Sequence, residues 1–166
     1  RKGKKLELSQ ERFFLDRDPA KPAKDATVWD IPVPTIDAKG RRKIVRLAGR
    51  KTAIDAPEGT KLNAGQAGFY LVHYPEASWP NLALFPPLDR FGLQADAYSL
   101  MRAGYLSVPA YLKLLENYRG EENHHVWGGI VSGLRGLSEI FVGDESIPKL
   151  EECARGLVRP IVERVG

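Results

Sequence analysis

Histidine, cysteine, serine and paired carboxylates are the side chains through which this chain would do chemistry, so their spacing is the first test of function. The three histidines are His73, His124 and His125. A zinc hydrolase needs ligands one helical turn apart, as in His-Glu-x-x-His, or an equivalent trio. His124 and His125 are adjacent and point to different faces of a helix, and His73 lies far upstream in a strand-like run, so a helix-start or surface role suits the pair better. Ser9, Ser78, Ser99, Ser107, Ser132, Ser138 and Ser146 lack the Gly-x-Ser-x-Gly context of a nucleophile elbow, and Ser132 in Val-Ser-Gly supplies half of it. Cys153 is the single cysteine. It excludes an intramolecular disulfide and a cysteine-based zinc site, fits a reducing, cytoplasmic setting, and its helical context predicts a small buried apolar residue. Glu121-Glu122, Asp144-Glu145 and Glu151-Glu152 fall at expected helix starts, where the helix dipole stabilises negative charge without acid–base work. The turns Asn63-Ala-Gly-Gln-Ala-Gly68 and Gly128-Gly129 match neither the phosphate-loop nor the dinucleotide spacing. These residues assemble no catalytic constellation, no cofactor site and no metal site.

The elements that would have to position any such group divide the chain in two. The 166 residues are 43% hydrophobic and 28% charged, an ordinary globular composition long enough to bury roughly two thirds of its unfolded surface. No apolar run approaches a membrane span, and no signal-peptide core follows the basic start. Residues 1–77 hold 16 Lys+Arg against 10 Asp+Glu, and residues 78–166 hold 9 against 11. The basic clusters, Lys2, Lys4 and Lys5 and then Arg41-Arg42-Lys43, lack the interleaved aromatics of a nucleic-acid stacking platform, so no nucleic acid is expected. The chain begins with Arg1, and Met101 is its only methionine, so a piece of a longer polypeptide is expected.

The first part reads as strands. Leu6–Ser9 alternates and Arg12-Phe-Phe-Leu15 forms a second short apolar run, the two reading as two strands or one bent strand, and the prolines up to Pro22 break any element. Trp29, Ile31 and Val33 share a face of a strand that Pro32 and Pro34 demote to an edge or bulged position. Asp37–Gly40 is a turn, Lys43–Leu47 and Lys51–Ile54 are expected to pair as a hairpin around Gly49, and Glu58-Gly59 turns again. Phe69–Tyr74, closed by Pro75, is expected to be a mostly buried strand, with Tyr70 and Val72 on one face and Phe69, Leu71 and His73 on the other. Six or seven such strands argue a small antiparallel sandwich. The second part has helical periodicity. Helices are predicted from Pro86-Pro87 to Gly104, from the Ser107 cap to Tyr118, from His124 to Phe141, and from Ser146 onward with a kink or break at Pro160. Gly128, Gly129, Gly133 and Gly136 in the third cost about 1 kcal/mol each against alanine, which close helix approach would offset. The expected fold is therefore α+β, an antiparallel β-sandwich over 1–77 followed by antiparallel, helical-repeat-like α-helices over 78–166.

Four ordered blocks also resemble a known family. Leu62-Asn-Ala-Gly-Gln-Ala-Gly-Phe-Tyr-Leu-Val-His-Tyr74, then Trp79 and Leu82, then Asp89-Arg90 with Leu93, Asp96, Ala97 and Ala103-Gly104, are similar to the C-terminal region of the zinc aminopeptidases related to aminopeptidase N, the puromycin-sensitive and the endoplasmic-reticulum aminopeptidases. Leu8-Ser-Gln-Glu-Arg-Phe13 resembles the first strand of that family's small sandwich, and Trp29-Asp-Ile-Pro-Val33 its Trp-x-x-Pro strand. The resemblance implies a non-catalytic C-terminal fragment that supports an upstream catalytic domain and forms part of the bowl over the peptide cavity. Zinc would belong to the missing catalytic domain, because His-Glu-x-x-His, the further Glu, the Gly-x-Met-Glu-Asn strand and the transition-state Tyr match no position here. Leu71 stands where many relatives carry arginine. The four helices are fewer than the family's bowl usually has, which implies either a minimal relative or a truncated chain, and truncation would leave apolar faces around Trp127 and Leu157 exposed for self-association. Asp89 and Arg90 are expected to form a helix-start charge pair, and Arg90 is the one candidate for contacting a peptide substrate. The alternative function is an independent protein-interaction module.

Overall fold

The computed structural model describes residues 5–16 and 25–166. Lys2, Lys4 and most of the loop ending at Pro22 lie outside them. Five strands come first: β1 (Lys5–Ser9), β2 (Ile31–Ile36), β3 (Arg42–Leu47), β4 (Lys51–Asp55) and β5 (Lys61–Leu62). Four α-helices follow: α1 (Pro87–Arg102), α2 (Val108–Leu115), α3 (His124–Ile140) and α4 (Ile147–Val165). The chain is thus an α+β protein, antiparallel sheets followed by helices.

The strands make two small sheets. β1 pairs antiparallel with β4, from Lys5 opposite Asp55 to Ser9 opposite Lys51. β2 lies between β3 and β5, with Ile31 opposite Leu47 and Ile36 opposite both Arg42 and Lys61. Leu8 of one sheet is buried with Val33 and Leu47 of the other, and Leu6, Ile31, Val45, Ile54 and Leu62 pack around them. This is the expected two-layer packing, since alternate residues of each strand face inward. β2 meets β5 only at Thr35 and Ile36. Pro32 and Pro34 sit at alternate positions, so both lack the N–H on the same side of the strand, the side away from β3 on which no described strand pairs with that stretch. Asp37 closes the β2–β3 hairpin by accepting the N–H groups of Lys39 (2.9 Å) and Arg41 (3.0 Å), with Gly40 at φ 75°.

Three expectations about strands are corrected. β3 and β4 do not pair with each other; each joins a different sheet, and the turn at Gly49 is the corner between layers. Gln10 pins that corner, its buried side-chain amide donating to the carbonyls of Trp29 (2.7 Å) and Gly49 (2.9 Å) and accepting the Trp29 N–H (2.9 Å). Trp29 therefore precedes the strand and its side chain is exposed. Phe13–Leu15 is not a strand either, because Phe13 stacks on Tyr105 at 5.6 Å and the Phe14 N–H donates to the Tyr105 hydroxyl.

The largest correction concerns Phe69–Tyr74, which forms no strand. Asn63 and Gln66 adopt left-handed backbone at φ 53° and 52°, Gly65 lies at φ 70°, and the chain curls through a 3-10 turn over Ala64–Gln66. The Asn63 side chain holds the curl by accepting the Gly68 N–H (2.8 Å) and donating to the Gly68 carbonyl (3.0 Å). The two expected faces vanish with the ladder. Tyr74, Leu71 and Val72 pack on the helical core, while Phe69 is fully exposed and His73 exposed.

The helices match their signals closely. Pro87 opens α1, and Gly104 at φ 74° follows its end. Ser107 caps α2 by accepting the Ala110 N–H (3.2 Å), and Asn123 caps α3 by accepting those of His125 (3.0 Å) and Val126 (3.3 Å). Tyr111, Leu115, Val126, Ile130 and Leu137 are wholly excluded from solvent, and aliphatic residues buried this way contribute about 1.5–3 kcal/mol each. α1 lies so close to α3 that a methyl on Gly129 would meet Gln94, and one on Gly136 would meet the Tyr98 hydroxyl. A methyl on Gly133 would meet the Tyr111 hydroxyl from α2. Three of the four glycines thus mark close approach; Gly128 faces open space. α4 runs unbroken through Pro160. Trp127 and Leu157, expected at the surface, are buried in the core instead; the exposed apolar residues on these helices are Val131, Ile140, Val162 and Val165, with Val142 in the turn between.

Candidate functional site: a buried polar seam

Two strings of buried polar groups join the segment 61–74 and the loop 116–123 to α1. The first begins at Asp89 in the first turn of α1. Its carboxylate meets the ammonium of Lys61 at 3.0 Å and accepts the Gly65 N–H at 2.7 Å. Both side chains are at most 3% exposed. Lys61 also donates to the carbonyls of Leu62 (2.9 Å) and Asn63 (3.0 Å), so its three protons are all used inside the protein. Burial pulls the Lys61 pKa down, against the opposing attraction of Asp89. Two turns along α1, Asp96 accepts the Val72 N–H at 3.1 Å. Burial lifts its pKa to about 7, with the Val72 amide and Lys61 pulling the other way. Tyr70, lifted to about 12 by burial and then by the charge of Asp96, completes the cluster with Tyr74, whose hydroxyl accepts the Leu62 N–H at 2.7 Å.

The second string is centred on Glu121. Arg90 grips it with two parallel bonds, Nε at 2.6 Å and a terminal nitrogen at 2.8 Å, and its other terminal nitrogen donates to the Phe85 carbonyl at 2.6 Å. Glu121 also accepts the N–H groups of Glu122 (2.9 Å) and Asn123 (2.8 Å). Burial alone would raise its pKa, but Arg90 and these amides outweigh it and hold the carboxyl below its usual range. Its carbonyl accepts from the Trp127 indole (2.9 Å) and from Arg164 (2.8 Å) near the end of α4. One residue therefore ties α1, the start of α3 and the end of α4 together.

Asp89 and Arg90 are not a pair with each other, contrary to expectation. Adjacent residues on a helix diverge by about 100°, so one turns to the sheet side and the other to the α2–α3 loop. Every guanidinium nitrogen of Arg90 already has a protein partner, which makes it a strut of the fold. In the sequence Asp96 stands out only within the family block and Glu121 only as a helix-start carboxylate, and Lys61 is not singled out. The available signal was that Lys61 and Asp96 are isolated charges in otherwise apolar or small-residue stretches. His124 and His125 are exposed neighbours with rings 3.9 Å apart, and no group of three or more His, Cys, Asp or Glu among the described residues could hold a metal ion. Cys153 is half-buried rather than buried, and it lines a surface hollow of about 480 Å³ together with Arg119, Lys149 and Arg159. Among the described residues no helix is long and apolar enough to cross a membrane.

Two small antiparallel sheets fastened by buried polar groups to the helices that follow them define an α+β domain. A family model described as the ERAP1-like C-terminal domain matches residues 60–166, and the chain belongs to that family. The match covers β5, the curled segment and all four helices. Over nearly its whole length the chain is also similar to a tricorn protease-interacting factor and to several aminopeptidases. It is 33% identical over 168 residues to tricorn protease-interacting factor F2 of Thermoplasma volcanium, covering 99% of this chain and 20% of that protein. It is 30% identical to human glutamyl aminopeptidase, covering 96% and 19%, and 30% identical to the puromycin-sensitive aminopeptidase of Caenorhabditis elegans, covering 90% and 16%. The chain spans about a fifth of the length of these relatives.

Proposed function

We propose that the chain is the non-catalytic C-terminal part of a zinc-dependent aminopeptidase, in which it supports the catalytic domain and forms part of the wall around the peptide cavity. The observation that carries this reading is the ERAP1-like C-terminal domain match over residues 60–166, with similarity to aminopeptidases over nearly the whole chain, joined to polar groups committed to fastening. The two units are the sandwich, 1–77, and the helices, 78–166, with segment 61–74 packed on the helical core as their joint. The partners are the upstream catalytic domain of the same polypeptide and, through it, peptide substrates; zinc belongs to that domain. Arg90 serves as a strut, its guanidinium held by Glu121 and Phe85. A soluble, cytoplasmic enzyme fits the single free cysteine. The test is biochemical and direct. The purified 166-residue chain is expected to bind no stoichiometric zinc and to release no N-terminal residues from peptides, whereas the polypeptide encoded by the complete gene does both. Aminopeptidase activity in the isolated chain, or a complete gene without an upstream His-Glu-x-x-His segment, would overturn the proposal.

A further inference from the structure

α1 carries two buried carboxylates seven residues apart, and each accepts one backbone N–H from 24 positions upstream, Asp89 from Gly65 and Asp96 from Val72. Seven helical residues rise about 10.5 Å, while seven extended residues reach about 23 Å. The segment between the two anchor points must therefore be slack, and the left-handed backbone at Gly65 and Gln66 takes up part of that slack. The two anchors differ in charge compensation. Asp89 has the Lys61 ammonium at 3.0 Å. Asp96, 7% exposed, has no ion pair among the described residues, and its hydrogen bond to the protein is the single one from Val72. The ionisable groups coupled to it are Tyr70 and Tyr74 from the segment and Lys61 from β5, with Asp89 of α1 and Arg42 of β3 acting on Lys61 in turn. Lys61 is already spent on Asp89 and two carbonyls. The Tyr70 hydroxyl is buried with no hydrogen-bond partner, so detaching the segment would hydrate it as well as Asp96.

We propose that Asp96 is a proton-operated latch: protonated, it keeps the segment 69–74 seated on α1, and ionised, it favours release of that segment so that the carboxylate regains water. The latch works within this chain, whatever catalytic domain the chain supports. Its sign follows from linkage. A carboxyl whose value is raised by burial from 3.8 to about 7 gives stability that is complete below about pH 4 and lost as pH rises through about 7. Asp89 serves as the internal control, because its charge is neutralised in place.

Carboxyl-carbon NMR titration of Asp96 in the 166-residue chain, together with amide hydrogen exchange at Val72 and Gly65, tests the latch. The expected result is an Asp96 midpoint above pH 6. Val72 exchange, corrected for the intrinsic base catalysis of exchange, should speed about tenfold between pH 6 and 8 while Gly65 stays level. Asp96→Asn, permanently neutral, should hold Val72 protection flat across that range. A midpoint below pH 6, a Val72 protection that does not change with pH, or the same change in Asp96→Asn overturns the proposal. The first two measurements use the unsubstituted chain and do not depend on how the variant folds.

Discussion

Removing one half of the Lys61–Asp89 pair would leave the other charge buried, at most 3% exposed, with nothing to neutralise it. Lys61→Met is therefore expected to destabilise the chain by about 3–5 kcal/mol in urea denaturation, and Lys61→Met with Asp89→Leu to recover much of that loss, since two apolar groups need no compensation. A double variant no better than the single one would show that the backbone bonds to Gly65, Leu62 and Asn63 matter more than the charges. Glu121 obeys the opposite pH rule to Asp96. Its carboxyl is held below the ordinary value of 4.5, so its contribution is present above that value and lost as pH falls through the lower folded value. Glu121→Gln should lower stability at neutral pH and flatten the acid limb of a stability–pH curve. An acid limb unchanged in the variant would assign acid unfolding to other carboxylates. The motif block contains Asp89 and Asp96, but it names no partner for either. Fastening depends on partners as far as 28 or 31 positions away, as Arg90 has in Tyr118 and Glu121, and no local pattern encodes such distances.

At the scale of elements, the glycines of α3 separate propensity from packing. Gly128 faces open space, so Gly128→Ala should stabilise the chain by up to about 1 kcal/mol through helix propensity alone. Gly133→Ala would drive a methyl into the Tyr111 hydroxyl, and overpacking of about 1–3 kcal/mol should outweigh the same gain. Thermal unfolding of the two variants should move in opposite directions; equal shifts would mean that the helices can separate without cost. Helix limits were legible in the sequence because capping is local: Ser107, Asn123, Pro87 and Gly104 act within a turn of themselves. The strands were half legible. The alternation in Leu6–Ser9 set β1, but the sheet that β3 or β4 joins is decided by partners elsewhere in the chain, and hairpin spacing misled there. Phe69–Tyr74 has strand composition and no strand, because Asp96 holds the Val72 N–H that a ladder would use and the Asn63 curl aims the segment along α1.

For the whole molecule, the exposed Val131, Ile140, Val142, Val162 and Val165 place apolar surface on α3, α4 and the turn between them. Concentration-dependent association in light scattering is the expected outcome for the isolated chain, reduced by Val142→Glu with Val165→Glu. A sharp monomer at high concentration would show that these side chains are too dispersed to act as a patch. By itself the sequence determined the α+β order, the four helices, the family resemblance and the lack of a zinc motif, since each rests on composition, short-range periodicity or motif spacing. Only the tertiary structure decided that the glycine-rich stretch from Asn63 is a curled joint, that Asp89 and Arg90 serve different partners, and that Trp127 and Leu157 are core. The physical reason is common to all three: burial and pairing are set by which surfaces meet, and those surfaces come from segments that the chain brings together only on folding.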